Sequence, residues 1–220
     1  MTTTELGPVS LAERAYTDLR DRLVTLAVAP GDPINDEALA RELGVGRTPV
    51  REALKRLEQD RLVITYPRRG TFATQVEITD LAFISELRAE LEPLAAARAA
   101  RVATPAVRQQ LRAVLADLDR TDGTERELVA MLRADAAVHR AIYAAAANPY
   151  LQDTLVRLNN LATRIWCLVM DQLDGAAGHL HEHSDLLTAI IDGDSDRASA
   201  LSRAHVEHFE RVVRAALFSV

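Results

Sequence analysis

The chain is short of cysteine, of aromatic residues and of long apolar runs, and each shortage excludes something. Cys167 is the one cysteine in 220 residues, so no disulfide framework holds the fold and a reducing compartment is expected. Aromatic residues amount to 4%, and the abundance of alanine, leucine and arginine in their place favours helices. No run of about 18 uncharged apolar residues occurs, which argues against a membrane-spanning helix. The first ten residues lack a basic segment leading into an apolar one, so secretion is not expected and a cytoplasmic location is. What is present suffices for a buried core: 48% apolar and 26% charged residues exclude a wholly disordered chain.

Basic residues are also outnumbered, with a net charge of −6, but the average hides an asymmetry. Residues 1–76 are neutral, with 11 basic and 11 acidic side chains, and the deficit falls wholly on residues 77–220. Within 47–69 the count is 7 basic (Arg47, Arg51, Lys55, Arg56, Arg61, Arg68, Arg69) against 3 acidic (Glu52, Glu58, Asp60). A local positive patch in an acidic chain matters more for phosphate binding than net charge does.

Periodicity and breakers organise the chain. Residues 11–28 read as an amphipathic helix ended by Ala29-Pro30-Gly31-Asp32-Pro33. A short helix over 36–43 and the turn Gly44-Val45-Gly46 lead into Arg47-Thr48-Pro49-Val50-Arg51-Glu52-Ala53-Leu54-Lys55, with Thr48 expected as N-cap and Pro49 as first helical residue. Residues 62–66 and 71–74 read as two strands joined by Pro67-Arg68-Arg69-Gly70, a hairpin with a basic tip. From Thr79 onward the pattern is helical. Breaks near 104–105, 121–123, 148–149, 175–178 and 192–194 delimit about six helices, as in a bundle. The expected fold class is therefore mainly α. A winged helix-turn-helix over 1–77, of three helices plus a β-hairpin, precedes an all-α six-helix antiparallel bundle over 78–220.

Two helices joined by a glycine turn form a helix-turn-helix candidate. Ala40 is small where the helices would cross, and Gly44 makes a positive φ cheap. Arg47, Arg51 and Lys55 recur every four residues and share one face, the face a recognition helix presents to the major groove. Arg68, Arg69 and Gly70 would stand beside them as a wing. A solvated basic helix face is the bland alternative; the glycine turn, the stripe and the basic hairpin together favour DNA binding.

All six histidines lie beyond residue 138. Asp135 and His139 are four apart and so about 40° apart on a helix. With His183 and His205 on later helices, they have the donor types that bind zinc, nickel or cobalt. Spacing alone leaves open whether these are ligands or ordinary core and surface histidines. His179 and His183 form a rival pair, but Gly175 and Gly178 favour a loop there, with His179 and His181 exposed and His208 at the surface. Arg88, four residues before Glu92, reads as a helix ion pair. Tyr143, Trp166 and Cys167 read as core or cavity lining.

Val45-Gly46-Arg47-Thr48-Pro49-Val50-Arg51-Glu52-Ala53-Leu54 and the wing Arg68-Arg69-Gly70-Thr71-Phe72 resemble the winged-helix domain of GntR-family transcription regulators. Leu87-Arg88-Ala89-Glu90-Leu91-Glu92, Asp135-Ala136-Ala137-Val138-His139, Ala147-Asn148-Pro149 and Glu182-His183-Ser184-Asp185-Leu186 are similar to the FadR-type C-terminal (FCD) ligand-binding domain. Six helices rather than seven point to its shorter, VanR-like subgroup. The resemblance implies DNA contacts by Arg47, Thr48, Arg51, Lys55, Arg68, Arg69 and Gly70. It implies a divalent metal, zinc or nickel, on Asp135, His139, His183 and His205, and an effector carboxylate held by Arg88. Some relatives carry an arginine where this chain has Glu37, so a contact there is not carried over.

The expectation is a cytoplasmic homodimeric repressor on a palindromic double-stranded DNA operator, modulated by a small organic acid, with no membrane partner and no enzymatic activity. The alternatives are a metal-dependent hydrolase and a constitutive DNA-binding protein with a structural metal. For the first, no general base stands out.

Overall fold

The first helix starts where the sequence offers an acceptor: Ser10 Oγ accepts the amide of Glu13 at 3.1 Å, and α1 runs Leu11–Val24. It stops four residues short of the expected end. Thr25 Oγ1 donates to the carbonyl of Asp21 at 2.8 Å, and Leu26 takes a left-handed φ of 57°, so the chain turns before Pro30 is reached. In this computed structural model, which describes residues 10–118, 120, 128–170 and 176–218 (of 128, 129, 176–181 and 218 only the backbone), the chain separates into two units, 1–76 and 77–220.

In the first unit α2 (Asp36–Leu43) is capped by Asn35, whose side-chain oxygen accepts the amides of Glu37 and Ala38. Gly44 closes α2 with φ 63°, a conformation that favours glycine. Then α3 (Arg47–Gln59) begins, with Gly46 and not Thr48 as its N-cap, and Pro49 as its third residue. The first turn of a helix has no intrahelical partner for its amides, so a proline is tolerated anywhere in it. Thr48 is thereby left exposed on the helix surface. Val50, Ala53, Leu54 and Leu57 are buried against α1 and α2.

The hairpin forms from β2 (Val63–Tyr66) and β3 (Gly70–Ala73). A third strand escaped the sequence pattern: β1 (Pro33–Ile34) pairs antiparallel with β3, Pro33 opposite Phe72. Two residues are too few to show alternation, and Pro33 sits on an edge, where its missing donor costs nothing. The sheet order is β1-β3-β2.

The second unit holds six helices among the described residues: α4 (Asp80–Val102), α5 (Pro105–Leu118), α6 (Leu128–Ala145), α7 (Pro149–Val169), α8 (Ala176–Asp192) and α9 (Ser195–Phe218). The central helix is α4, which packs on α6, α7, α8 and α9. Its buried Ala95, Ala96, Ala99 and Ala100 let neighbours approach closely. Helix ends leave carbonyls without partners, and arginines fill them. Arg108 donates to the carbonyls of Ala100 and Ala103 at the end of α4 and of Ile190 and Ile191 at the end of α8. Arg98 donates to Ala146 at 2.6 Å, just past α6. Asn148 caps α7 through Leu151, and Pro149 follows as its first residue, so the expected break both stops one helix and starts another. The break expected at 121–123 lies outside the described residues.

Candidate functional site

The buried face of α3 decides where its arginines go. With Val50, Ala53, Leu54 and Leu57 turned inward, Arg47, Thr48, Arg51 and Lys55 are exposed. The two arginines converge on one oxygen: Arg51 Nε donates to Asp36 Oδ2 at 2.9 Å, and Arg47 Nη2 reaches it at 3.5 Å. The hydrogen bond from Arg51 holds the Asp36 carboxyl below the usual carboxylate range. Arg56, counted in the basic patch but outside the stripe, donates to Glu13 at 2.6 Å with its guanidinium 3.9 Å above the Tyr16 ring. That arginine is structural.

At the hairpin tip Arg69 N–H donates to the Tyr66 carbonyl at 3.1 Å, and Gly70 takes φ 99°. A Cβ at Gly70 would meet nothing within 4 Å, so the backbone conformation, not space, demands glycine there. Arg68 and Arg69 are exposed at this tip. Arg51, Lys55, Thr65, Gly70 and Thr71 share the lining of one open groove between α3 and the sheet, with Asp36 at its edge. The cations of α3 thus share this groove with the hairpin residues Thr65, Gly70 and Thr71.

In the second unit Asp135 and His139 come from α6, His183 from α8 and His205 from α9. One ligand atom from each lies within 4.8 Å of all the others, and all four side chains are buried. His139 Nε2 is 3.3 Å from His183 Nε2 and 3.7 Å from Asp135 Oδ1, and His183 Nε2 is 3.5 Å from the same oxygen. Burying three imidazoles and a carboxylate at such distances is costly unless something neutralises and binds them. The donor set, three nitrogens and one oxygen, fits a zinc- or nickel-type ion.

Around these donors stand Tyr143, read from the sequence as core or cavity lining and buried here, and two glutamates that the sequence reading did not place at the cluster. His139 Nδ1 lies 3.1 Å from the Tyr143 hydroxyl and 3.5 Å from Glu92 Oε2. Burial first, and Glu92 next, hold the Tyr143 phenol well above its usual range, so it keeps its proton. His205 Nδ1 lies 2.8 Å from Glu182 Oε2, and the other oxygen of Glu182 bonds His208. The spacing of His139 and Tyr143, one helical turn, was a usable signal. Glu182 precedes His183 directly, so no periodicity placed it beside His205. Half-buried His208 is tied to Glu182 and is not a bare surface residue.

The loop expected around His179 and His181 is helix: α8 begins at Ala176, and the roughly 1 kcal/mol that Gly178 costs does not stop it. The side chains of His179 and His181 lie outside the described residues. Arg88 and Glu92 form the expected ion pair, Nε to Oε1 at 2.5 Å, but in the interior, with 2% and 3% exposure. Burial pushes the Cys167 thiol up to about 12, which leaves it unreactive at neutral pH. Among the described residues no helix is long and apolar enough to cross a membrane.

A winged helix-turn-helix with an exposed arginine stripe, carried on one chain with a helical bundle, is the arrangement of a DNA-binding transcription regulator. Residues 11–73 match the family of bacterial regulatory proteins called gntR, and residues 84–208 match the FCD domain. The chain belongs to the GntR family of regulators, in the branch that carries an FCD domain. It is 30% identical over 194 residues to an uncharacterized HTH-type transcriptional regulator in an unstable DNA locus of Streptomyces ambofaciens, covering 87% of this chain and 80% of that one. It is 26% identical over 210 residues to the HTH-type transcriptional repressor RspR of Escherichia coli K12, covering 95% and 90%. Among solved structures, E. coli McbR/YncC shares the fold with a TM-score of 0.78 at 24% identity, over 94% of this chain and 98% of that one.

Proposed function

We propose that this regulator is a repressor that binds a palindromic operator as a homodimer and responds to a small organic acid in a metal-containing cavity. Arg47, Thr48, Arg51 and Lys55 enter the major groove, and Arg68, Arg69 and Gly70 follow the adjacent minor groove. Asp135, His139, His183 and His205 would hold zinc or nickel, which would supply Lewis acidity towards an anionic ligand. Arg88 takes the effector carboxylate. The observation that carries this reading is the convergence of four buried donors, from three helices, within 4.8 Å. A second observation supports Arg88: among the described residues its one hydrogen-bond partner is Glu92, through Nε, so both Nη groups remain for a carboxylate. Repression is supported by the E. coli relative RspR, a transcriptional repressor.

Dimerisation is supported by α4. Phe83, Leu87 and Leu94 are 68%, 51% and 50% exposed and share one face. Exposed Glu86 and Glu90 flank the first half of that face, and exposed Arg101 the second. A second copy laid antiparallel brings opposite charges together. An effector acts only by binding the DNA-competent and DNA-incompetent arrangements unequally. Residues 75–78, which lead into α4, carry the change between the units.

The test is selection of bound duplexes from random-sequence DNA, followed by titration of the selected duplex with metal-loaded and chelator-treated protein. Two-fold symmetric selected sites, and an affinity changed by a small carboxylate only in the loaded protein, are expected. An affinity indifferent to both metal and carboxylates would leave a constitutive DNA-binding protein.

A further inference from the structure

The hairpin presents two unlike faces. Thr65 and Thr71, with their Oγ1 atoms 3.2 Å apart, line the groove that Arg51 and Lys55 of α3 also line. Ile64 and Tyr66 alternate with Thr65 and so lie on the other face, where they are 38% and 44% exposed. Ile64 stands opposite Phe72 on β3, and the Tyr66 ring meets the Phe72 ring edge-on with centroids 5.9 Å apart. Arg69 joins them: its guanidinium carbon lies 5.8 Å from the centre of the Tyr66 ring.

We propose that Tyr66 is a positioning residue that steadies Arg69 for a narrow, A·T-rich minor groove, so that the hairpin selects DNA by the width of that groove. This rests on the reading of the wing above and adds what the wing selects and which residue aims it.

The two faces set the placement. With α3 in the major groove and the hairpin tip in the minor groove, the sugar-phosphate strand that divides the grooves runs between α3 and the hairpin. The face of Thr65 and Thr71 is turned to that strand. The face of Tyr66 and Arg69 is turned away from it, into the minor groove. The hairpin is also tied to the recognition helix: Glu58 Oε1, near the end of α3, accepts the amide of Thr65 at 2.9 Å. That bond covers part of β2, an edge strand, and restrains the distance from recognition helix to wing.

Charge decides what the wing can select. Arg47 and Arg51 share Asp36, whereas among the described residues neither Arg68 nor Arg69 has a carboxylate partner. Arg68 holds a left-handed φ of 62°, which glycine would take more readily, so the tip keeps its second cation at a cost in backbone strain. A narrow minor groove over A·T pairs concentrates negative potential and draws in an uncompensated guanidinium. A G·C pair works against it, because the guanine N2 amino group stands in that groove. A guanidinium laid on an aromatic ring is already aimed and loses less freedom on entry than one loose in solvent.

The test uses the full chain and a duplex selected from random-sequence DNA, with binding read by fluorescence anisotropy. A·T pairs bordering the bases that α3 contacts are replaced by G·C, and separately by inosine·C. Inosine·C has the major groove of G·C but lacks the N2 amino group, so its minor groove is that of A·T. G·C should weaken binding about fivefold or more, and inosine·C should bind as A·T does. Tyr66→Leu keeps apolar cover on Phe72 but removes the ring. It should cut the G·C penalty to about twofold or less while discrimination at the bases read by Arg47 and Arg51 stays. Tyr66→Phe keeps the ring and should keep the penalty. Arg69→Lys leaves the ring untouched and should lose the penalty, because a strongly hydrated ammonium enters a narrow groove at higher desolvation cost. An inosine·C duplex bound as weakly as G·C places the reading in the major groove and overturns the proposal. So does a full G·C penalty in Tyr66→Leu, or a selected site with no preference for A·T at those pairs. A protein that selects no sequence at all overturns the DNA reading of the winged helix together with the proposal.

Discussion

Arg51 donates from Nε to Asp36 Oδ2 at 2.9 Å, from the recognition helix back to the first turn of the helix before it. Arg51 is 60% exposed, so the bond is an exposed ion pair, worth roughly 0–1 kcal/mol, and DNA can compete it away. Until then the carboxylate offsets part of the charge of Arg47 and Arg51 and fixes where Arg51 points. Asp36→Asn should therefore tighten binding to random-sequence duplex and steepen its salt dependence, by up to about one in the log–log slope. Fluorescence anisotropy across a salt series reads both. An unchanged slope would show that Asp36 does not compete with phosphate.

Arg51→Ala should cost about 1–3 kcal/mol of affinity for a selected operator while random-sequence binding falls far less, and Arg47→Ala should behave alike. Both side chains are outside the core, so circular dichroism should not change. Retained discrimination between operator and random DNA would count against the recognition-helix assignment.

Tyr16 donates to Asp60 Oδ2 at 2.7 Å, and burial, then this bond, push its pKa up to about 12 from 10.0. The folded form holds the proton more tightly than the unfolded form does. The resulting stabilisation is complete below pH 10 and is lost as pH rises from about 10 towards 12. Tyr16→Phe should cost about 1–2 kcal/mol at neutral pH and flatten that alkaline decline. Urea titrations at several pH values test it; an equally steep decline in the variant would assign it elsewhere.

His183 is fully buried at 0% exposure and supplies Nε2 to the donor cluster. His183→Ala should lower bound metal, measured by elemental analysis of protein loaded with zinc or nickel. The metal-dependent rise in melting temperature should fall with it, since a ligand at a hundred times its Kd adds about 2.7 kcal/mol. Unchanged stoichiometry would place the metal outside this cluster.

Leu87→Glu puts a charge in the middle of the exposed apolar row of α4. In analytical ultracentrifugation it should shift the protein to monomer and weaken operator binding as two half-sites become independent. A dimer of unchanged strength would move the interface to another face.

The winged-helix half was readable because its signals are local. Asn35 at an N-cap, Gly44 and Gly70 at positive φ, and the four-residue repeat of Arg47, Arg51 and Lys55 each follow from neighbours a few positions away. The misreadings there were also local: Thr48 as cap, when Gly46 serves, and α1 carried past Thr25. The strand β1 was missed because Pro33 and Ile34 owe their conformation to Phe72 and Thr71, some forty residues away.

In the bundle, residue types alone nominated Asp135, His139, His183 and His205, since spacing joins only the first two. That they meet within 4.8 Å depends on how α6, α8 and α9 pack. Composition and periodicity determined two helical regions of opposite character and the identity of the chemically able side chains. Tertiary packing decided that Asp36 intercepts the arginines, that Glu182 serves His205, and that Glu92 stands between Arg88 and His139. Local pattern fixes which face of a helix a side chain occupies, while which face of another helix it meets is set by burial of the whole core.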